Sequence, residues 1–96
     1  MARLQAIVMK ANDNVCTVIE TIAPGMDVGM EIGGKTVRVR ASEAISMGHK
    51  LAICDINQGD AIMKYGEVIG RATQNIRIGQ HVHVHNLESC RGRGDR

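Results

Sequence analysis

Four segments of this chain repeat one short device. Ile22-Ala23-Pro24-Gly25-Met26-Asp27-Val28 places an aliphatic anchor, a Gly three residues later, and an aliphatic three residues after that. The spacing recurs in Ile45-Ser46-Met47-Gly48-His49-Lys50-Leu51, in Ile56-Asn57-Gln58-Gly59-Asp60-Ala61-Ile62 and in Ile76-Arg77-Ile78-Gly79-Gln80-His81-Val82. Physically it reads as an anchored residue, a tight turn closed by Gly in a conformation other residues resist, and entry into the next strand. The copies are irregularly spaced, so they do not build a solenoid of fixed period. They are a local device reused within one compact β domain. Chance is the competing reading, because Ile and Gly are both common here, but the shared turn chemistry weighs against it.

Between the devices the periodicity is that of strands. Val37 and Val39 alternate with Thr36, Arg38 and Arg40, as in a half-buried strand. Cys16-Thr17-Val18-Ile19, Leu51-Ala52-Ile53-Cys54 and Ala61-Ile62-Met63 are short apolar runs bounded by turn residues. Gly33-Gly34 is a hairpin signal between two strand candidates. Helical character is confined to Ala41-Ser42-Glu43-Ala44-Ile45, a turn or two at most. The expected fold is mostly β and a single domain over residues 1–87, followed by a flexible basic tail over residues 88–96. A chain of 96 residues buries only about two thirds of the surface it exposes when unfolded. With no Trp, no Phe and Tyr65 alone among aromatics, the core must be built from Ile, Val, Leu, Met and Ala. So thin a core favours association, with a partner or with further copies of the chain.

Composition excludes several classes. A net charge of +2, without a basic stripe interleaved with aromatics, argues against nucleic acid. Cys16, Cys54 and Cys90 are widely spaced and form neither a CxxC pair nor a zinc pattern. They read as reduced thiols of a cytoplasmic protein. The apolar run Leu4–Met9 is too short for a signal-peptide core, and no stretch approaches membrane-spanning length.

Chemistry concentrates late in the chain. His81, His83 and His85 alternate with Val82 and Val84, so in a strand the imidazoles share one face while the valines pack on the other. Neighbours two apart can reach one metal at about 2.0–2.1 Å, whereas the outer pair is separated by roughly 13 Å of strand. The specific hypothesis is therefore an adjacent pair completed by ligands from elsewhere. A solvent-facing polar row is its equal competitor. His49-Lys50 could form an acid–base or carboxylate-binding pair, against the simpler reading of an exposed turn. Lys64-Tyr65-Gly66-Glu67 reads as a tight turn between strands, with Lys64 and Glu67 more ordinary as a surface ion pair than as a site. Arg93-Gly94-Asp95 matches an adhesion tripeptide by coincidence.

Taken together, three segments carry a resemblance. Gly48-His49-Lys50, the run Lys64-Tyr65-Gly66-Glu67-Val68-Ile69-Gly70-Arg71-Ala72-Thr73, and Ile78-Gly79-Gln80-His81-Val82-His83-Val84-His85-Asn86 closely resemble the SAF-type N-terminal domain of the altronate and galactarate dehydratase family. The resemblance is strong from about residue 45 to 95 and weaker over residues 1–40. It implies a β-clip fold and a part in sugar-acid dehydration, as a hydro-lyase. In such families the module is fused to a large catalytic domain or made as a separate small subunit, as in sulfolactate sulfo-lyase. The resemblance implies a large catalytic partner, a sugar-acid substrate, and a divalent metal (iron or manganese) in the complete enzyme. It does not imply that this chain alone holds the metal or is active. By position, His49, Lys50, Lys64 and Asn86 match motif residues expected to act in catalysis, with His83 and His85 as metal ligands. His81 falls where the resemblance is variable. Two other readings stand beside this one: a non-catalytic SAF-type binding or chaperone module, and a small metal-binding protein in its own right.

Overall fold

A computed structural model describes residues 4–8 and 10–89. Cys90 and the tail bearing Arg93-Gly94-Asp95 lie outside the described residues. Nine strands follow in order: β1 (Ala6–Ile7), β2 (Val15–Val18), β3 (Asp27–Ile32), β4 (Lys35–Arg40), β5 (Lys50–Ala52), β6 (Ala61–Lys64), β7 (Glu67–Ala72), β8 (His81–Val82) and β9 (Leu87–Ser89). They form three antiparallel sheets, β1-β2-β5-β8, the hairpin β3-β4, and β6-β7-β9. The mostly β fold is as expected. Among the described residues there is no helix, and so none long and apolar enough to cross a membrane.

The repeated device is the corner of the fold. Gly25, Gly48, Gly59 and Gly79 all adopt positive φ, between 83° and 92°. In each corner the residue after the Gly donates its N–H to the carbonyl of the residue after the Ile: Met26 to Ala23, His49 to Ser46, Asp60 to Asn57, and Gln80 to Arg77. A four-residue turn with positive φ at its third position, and Pro24 at the second position of the first copy, is the type II signature. The corners work in pairs. Ile22 bridges Ile45, and Ile56 bridges Ile76. Gly25 and Gly59 donate to the carbonyls of Ala41 and Ala72, while Gly48 and Gly79 donate to those of Val18 and Ala52. One two-corner unit is thus built twice, first around hairpin β3–β4 and then around β6–β7.

The four anchor isoleucines are buried, each contributing ~1.5–3 kcal/mol. They divide between two cores. One gathers Cys16, Val18, Ile22, Val28, Met30, Ile45 and Leu51; the other gathers Val15, Ala52, Ile56, Ile62, Ile76 and Val82. Strands β2 and β5 send alternate side chains to each. Strand β2 is accordingly buried at Val15, Cys16 and Val18, with Thr17 alone partly exposed.

The segment Ala41–Ile45 is a bend and a bridge rather than a helical turn. Helix would require the Ile45 N–H to reach the Ala41 carbonyl, but that N–H donates to Ile22 and that carbonyl accepts from Gly25. Gly33 and Gly34, both at positive φ, turn hairpin β3–β4 as their spacing predicts. Strand β9 pairs with β7 through Ser89, which lies opposite Gly70.

Candidate functional site

Antiparallel pairing of β5 with β8 sets Lys50 opposite Val82 and Leu51 opposite His81. Extending that register by one residue lays His49 against His83, with ring centroids 4.2 Å apart and planes within 15° of parallel. His49 also stacks on His81 at 5.1 Å, its Nδ1 2.9 Å from His81 Nε2. His49, His81 and His83 each offer one ring nitrogen, and these nitrogens all lie within 4.8 Å of one another.

The alternation expected through His85 stops early. Strand β8 ends at Val82, and the chain then bends and turns, with the Asn86 N–H donating to the His83 carbonyl. Val82 is buried, but Val84, expected to pack beside it, is 79% exposed because it sits in the turn. His85 meets the ring of His81, tilted at 5.2 Å, and stands outside the cluster of three. Buried Asn86 commits its amide to the backbone of this turn. Its Oδ1 accepts the His83 N–H at 3.0 Å, and its Nδ2 donates to the His81 carbonyl at 2.9 Å. Glu43, which nothing in the sequence singles out, accepts the His81 N–H from the other side at 3.0 Å.

Burial first, then neighbouring imidazoles, depress the pKa of His81, with Glu43 opposing. Burial, His49 and Lys50 depress that of His83. Both rings therefore favour the neutral form, in which an imidazole can accept a proton or ligate a metal.

Lys50 follows His49 directly, yet the two enter different surroundings. Along β5, Lys50 faces the same side as its register partners Thr17 and Val82, while Leu51 sides with Cys16 and His81. There Lys50 lines a cavity of about 410 Å³ with Lys64, Tyr65, Glu67, Ile69, Leu87 and Ser89. Burial, reinforced by the charge of Lys64, lowers the Lys50 pKa. Lys64 Nζ lies 4.9 Å from the centroid of the Tyr65 ring, and the Tyr65 hydroxyl donates to Thr17 Oγ1 at 3.4 Å. The turn beneath this cavity is fastened by Asp13, a buried carboxylate that sequence reading passed over. It accepts the N–H groups of Lys10, Tyr65 and Gly66. Tyr65 is the single non-Gly residue at positive φ among the described residues, at 56°. The six residues singled out from sequence thus fall into three settings. His49 and His83 join the imidazole cluster, Lys50 and Lys64 the cavity, and His85 and Asn86 the turn after β8.

Residues 4–90 match the family described as the altronate/galactarate dehydratase SAF domain. The chain belongs to that family. This SAF domain is similar to the (2R)-sulfolactate sulfo-lyase subunit alpha of Chromohalobacter salexigens, 37% identical over 91 residues that cover 88% of the chain and 94% of that subunit. It is also similar to altronate dehydratases of Bacillus subtilis (38% over 77 residues, 80% of the chain and 15% of the relative) and Escherichia coli (39% over 86 residues, 90% and 17%). The chain therefore spans nearly the whole of one relative and a small part of the other two.

A divalent metal, as this SAF family implies, can be tested against the donors present. Imidazole donors suit iron or zinc in kind, and manganese where oxygen ligands complete the set. Around an ion bonded at about 2.0–2.1 Å, adjacent nitrogens stand about 2.9–3.4 Å apart. The His49–His81 pair already has that spacing. The cluster as a whole, within 4.8 Å, is slightly open. Its rings lie within 19° of parallel, so their lone pairs converge only after ring rotation. The residues fit as a partial site that leaves coordination positions for other ligands.

Proposed function

We propose that this SAF domain serves as the small subunit of a hydroxy-acid lyase of the sugar-acid dehydratase type, lending the His49–His81–His83 face to an active site completed by a larger catalytic chain. The observation that carries the reading is the imidazole cluster itself, assembled from two distant segments and held by Asn86 and Glu43. Elimination removes the proton next to the substrate carboxylate and expels hydroxide from the neighbouring carbon, leaving an enol that becomes the keto acid. An iron or manganese ion would stabilise the developing enediolate and polarise the leaving oxygen. His49, His81 and His83 would hold one side of that ion or, without it, His49 and His81 would shuttle the proton across the short hydrogen bond they share. The larger chain supplies the remaining ligands and the base. A second reading has sulfite as the leaving group in place of hydroxide. It is favoured by the match that spans 94% of a sulfolactate sulfo-lyase subunit alpha.

The test is to co-purify the chain with its native partner and assay elimination on altronate, galactarate and sulfolactate. His49→Ala, His81→Ala and His83→Ala each lower turnover by about 10²-fold or more and reduce bound iron or manganese, while His85→Ala does less. Wild-type turnover and metal content in all three variants would overturn the assignment. A chain that captures no catalytic partner would favour the non-catalytic module.

A further inference from the structure

We propose that the cavity bounded by β5, β6, β7 and β9 is an oxyanion-binding subsite that takes a carboxylate or sulfonate group between Lys50 and Lys64. Lys50, Lys64 and Glu67 line the same space, two cations to one anion, so the lining keeps a net positive charge even with Glu67 counted. Two cations drawn towards one partly enclosed cavity repel each other, and an anion between them turns that repulsion into attraction. The volume, about 410 Å³, falls within the range of small-molecule sites, roughly 300–1,000 Å³. Its lining combines the two lysines with the aliphatic Ile69 and Leu87, so an anionic group and a short carbon skeleton both find matching surface there.

The cationic rim is built rather than incidental. Lys64 is held over the ring of Tyr65, a contact worth about 0.5–1 kcal/mol at exposed sites. The Tyr65 hydroxyl is tied to Thr17, and Thr17 is the register partner of Lys50. Lys50, Thr17, Tyr65 and Lys64 thereby form a connected chain across β5, β2 and the β6–β7 turn. That turn keeps Tyr65 in a left-handed conformation that costs a non-Gly residue of order 1–2 kcal/mol. Asp13 holds it there with both carboxylate oxygens. Strain that is over-determined by its surroundings is characteristic of functional sites. Asp13 is in this view a positioning residue, which sets the distance between the two lysines without touching the anion.

The subsite deepens the lyase reading, in which the bound group is the anionic end of the hydroxy acid. Anion binding itself requires neither the imidazoles nor the partner, so the two ideas can fail separately. The 96-residue chain, labelled with ¹⁵N and ¹³C, is titrated with L-tartrate, with 2-hydroxyethanesulfonate and with the neutral polyol erythritol. Saturable shifts are expected at Lys50, Lys64 and Tyr65 with tartrate, with the sulfonate or with both, and none with erythritol. Whichever anion binds more tightly names the group the subsite prefers. Lys64→Gln weakens binding roughly tenfold or more, while Lys35→Gln at the distant β3–β4 turn leaves it unchanged. Lys50→Gln is a second variant of the same kind, accepted only where its spectrum stays dispersed. Saturable shifts absent for both anions, equal effects of Lys64→Gln and Lys35→Gln, or shifts with erythritol would each overturn the subsite. Its failure alongside lost turnover in the histidine variants would leave the lyase reading intact.

Discussion

Replacing the four corner glycines by alanine, one at a time, separates a local cost from a tertiary one. All four sit at nearly the same φ, 83° to 92°, so each substitution carries the penalty of a left-handed L-residue, about 1–2 kcal/mol. A Cβ added at Gly25, Gly48 or Gly59 meets nothing within 4 Å. At Gly79 it would stand 2.3 Å from the Arg40 carbonyl oxygen, far inside contact, with Ser42 N at 3.4 Å. Relief cannot come from a flexible side chain, because both neighbours are backbone. It would have to strain the link in which Gly79 accepts the Ser42 N–H. Overpacking of this kind costs a further 1–3 kcal/mol or so, making the expected loss about 1–2 kcal/mol at three corners and about 2–5 kcal/mol at the fourth. A domain of this length holds about 5–14 kcal/mol in all, so Gly79→Ala approaches the threshold of unfolding. Urea denaturation followed by far-UV circular dichroism reads the difference directly. With a slope near 1 kcal/mol/M, the Gly79→Ala midpoint should fall by at least about 1 M more than the other three. Four coincident midpoints, or a Gly48→Ala loss equal to that of Gly79→Ala, would refute the reasoning.

Asp13→Ala removes the acceptor of three N–H groups and should cost about 1.5–3 kcal/mol, the range of a hydrogen bond to a charged group, because the three donors sit on exposed residues that water can reach. Asp13→Asn, which keeps one oxygen, should lose less; thermal melts that fail to rank the two this way would contradict the staple. Buried Cys16, its pKa pushed up to about 12 mainly by burial, should resist iodoacetamide in the folded chain, while exposed Cys54 is alkylated as its thiolate forms with rising pH. Peptide mapping that finds equal labelling would refute this. Because folding raises the Cys16 pKa from 9.0, its contribution to stability is complete below pH 9 and is lost as the pH rises towards about 12. A Cys16→Ala variant should lack that component of the alkaline decline.

Much of the architecture was legible because it depends on near neighbours in the chain. Ile-x-x-Gly-x-x-aliphatic specifies a turn by local sterics, and Gly33-Gly34 specifies a hairpin in the same way. The motif segments from Gly48 onward carried the family. Which corners pair, however, is decided by cross-chain bridges from Ile22 to Ile45 and from Ile56 to Ile76. The four copies look alike until Arg40 is seen behind Gly79. The same division runs through the candidate site. Alternation places His81 and His83 on one face, but whether it continues to His85 depends on where β8 ends, and Asn86 ends it with two hydrogen bonds to the backbone. Ala41–Ile45 has the composition of a helical turn, yet its backbone groups are taken by Ile22, Gly25 and Met26. No periodicity links His49 to His83, and none links Asp13 to Tyr65. Such contacts follow from β-sheet register and loop closure, which join residues far apart in the chain. Local propensity determines where the chain can turn; long-range pairing determines which side chains meet there.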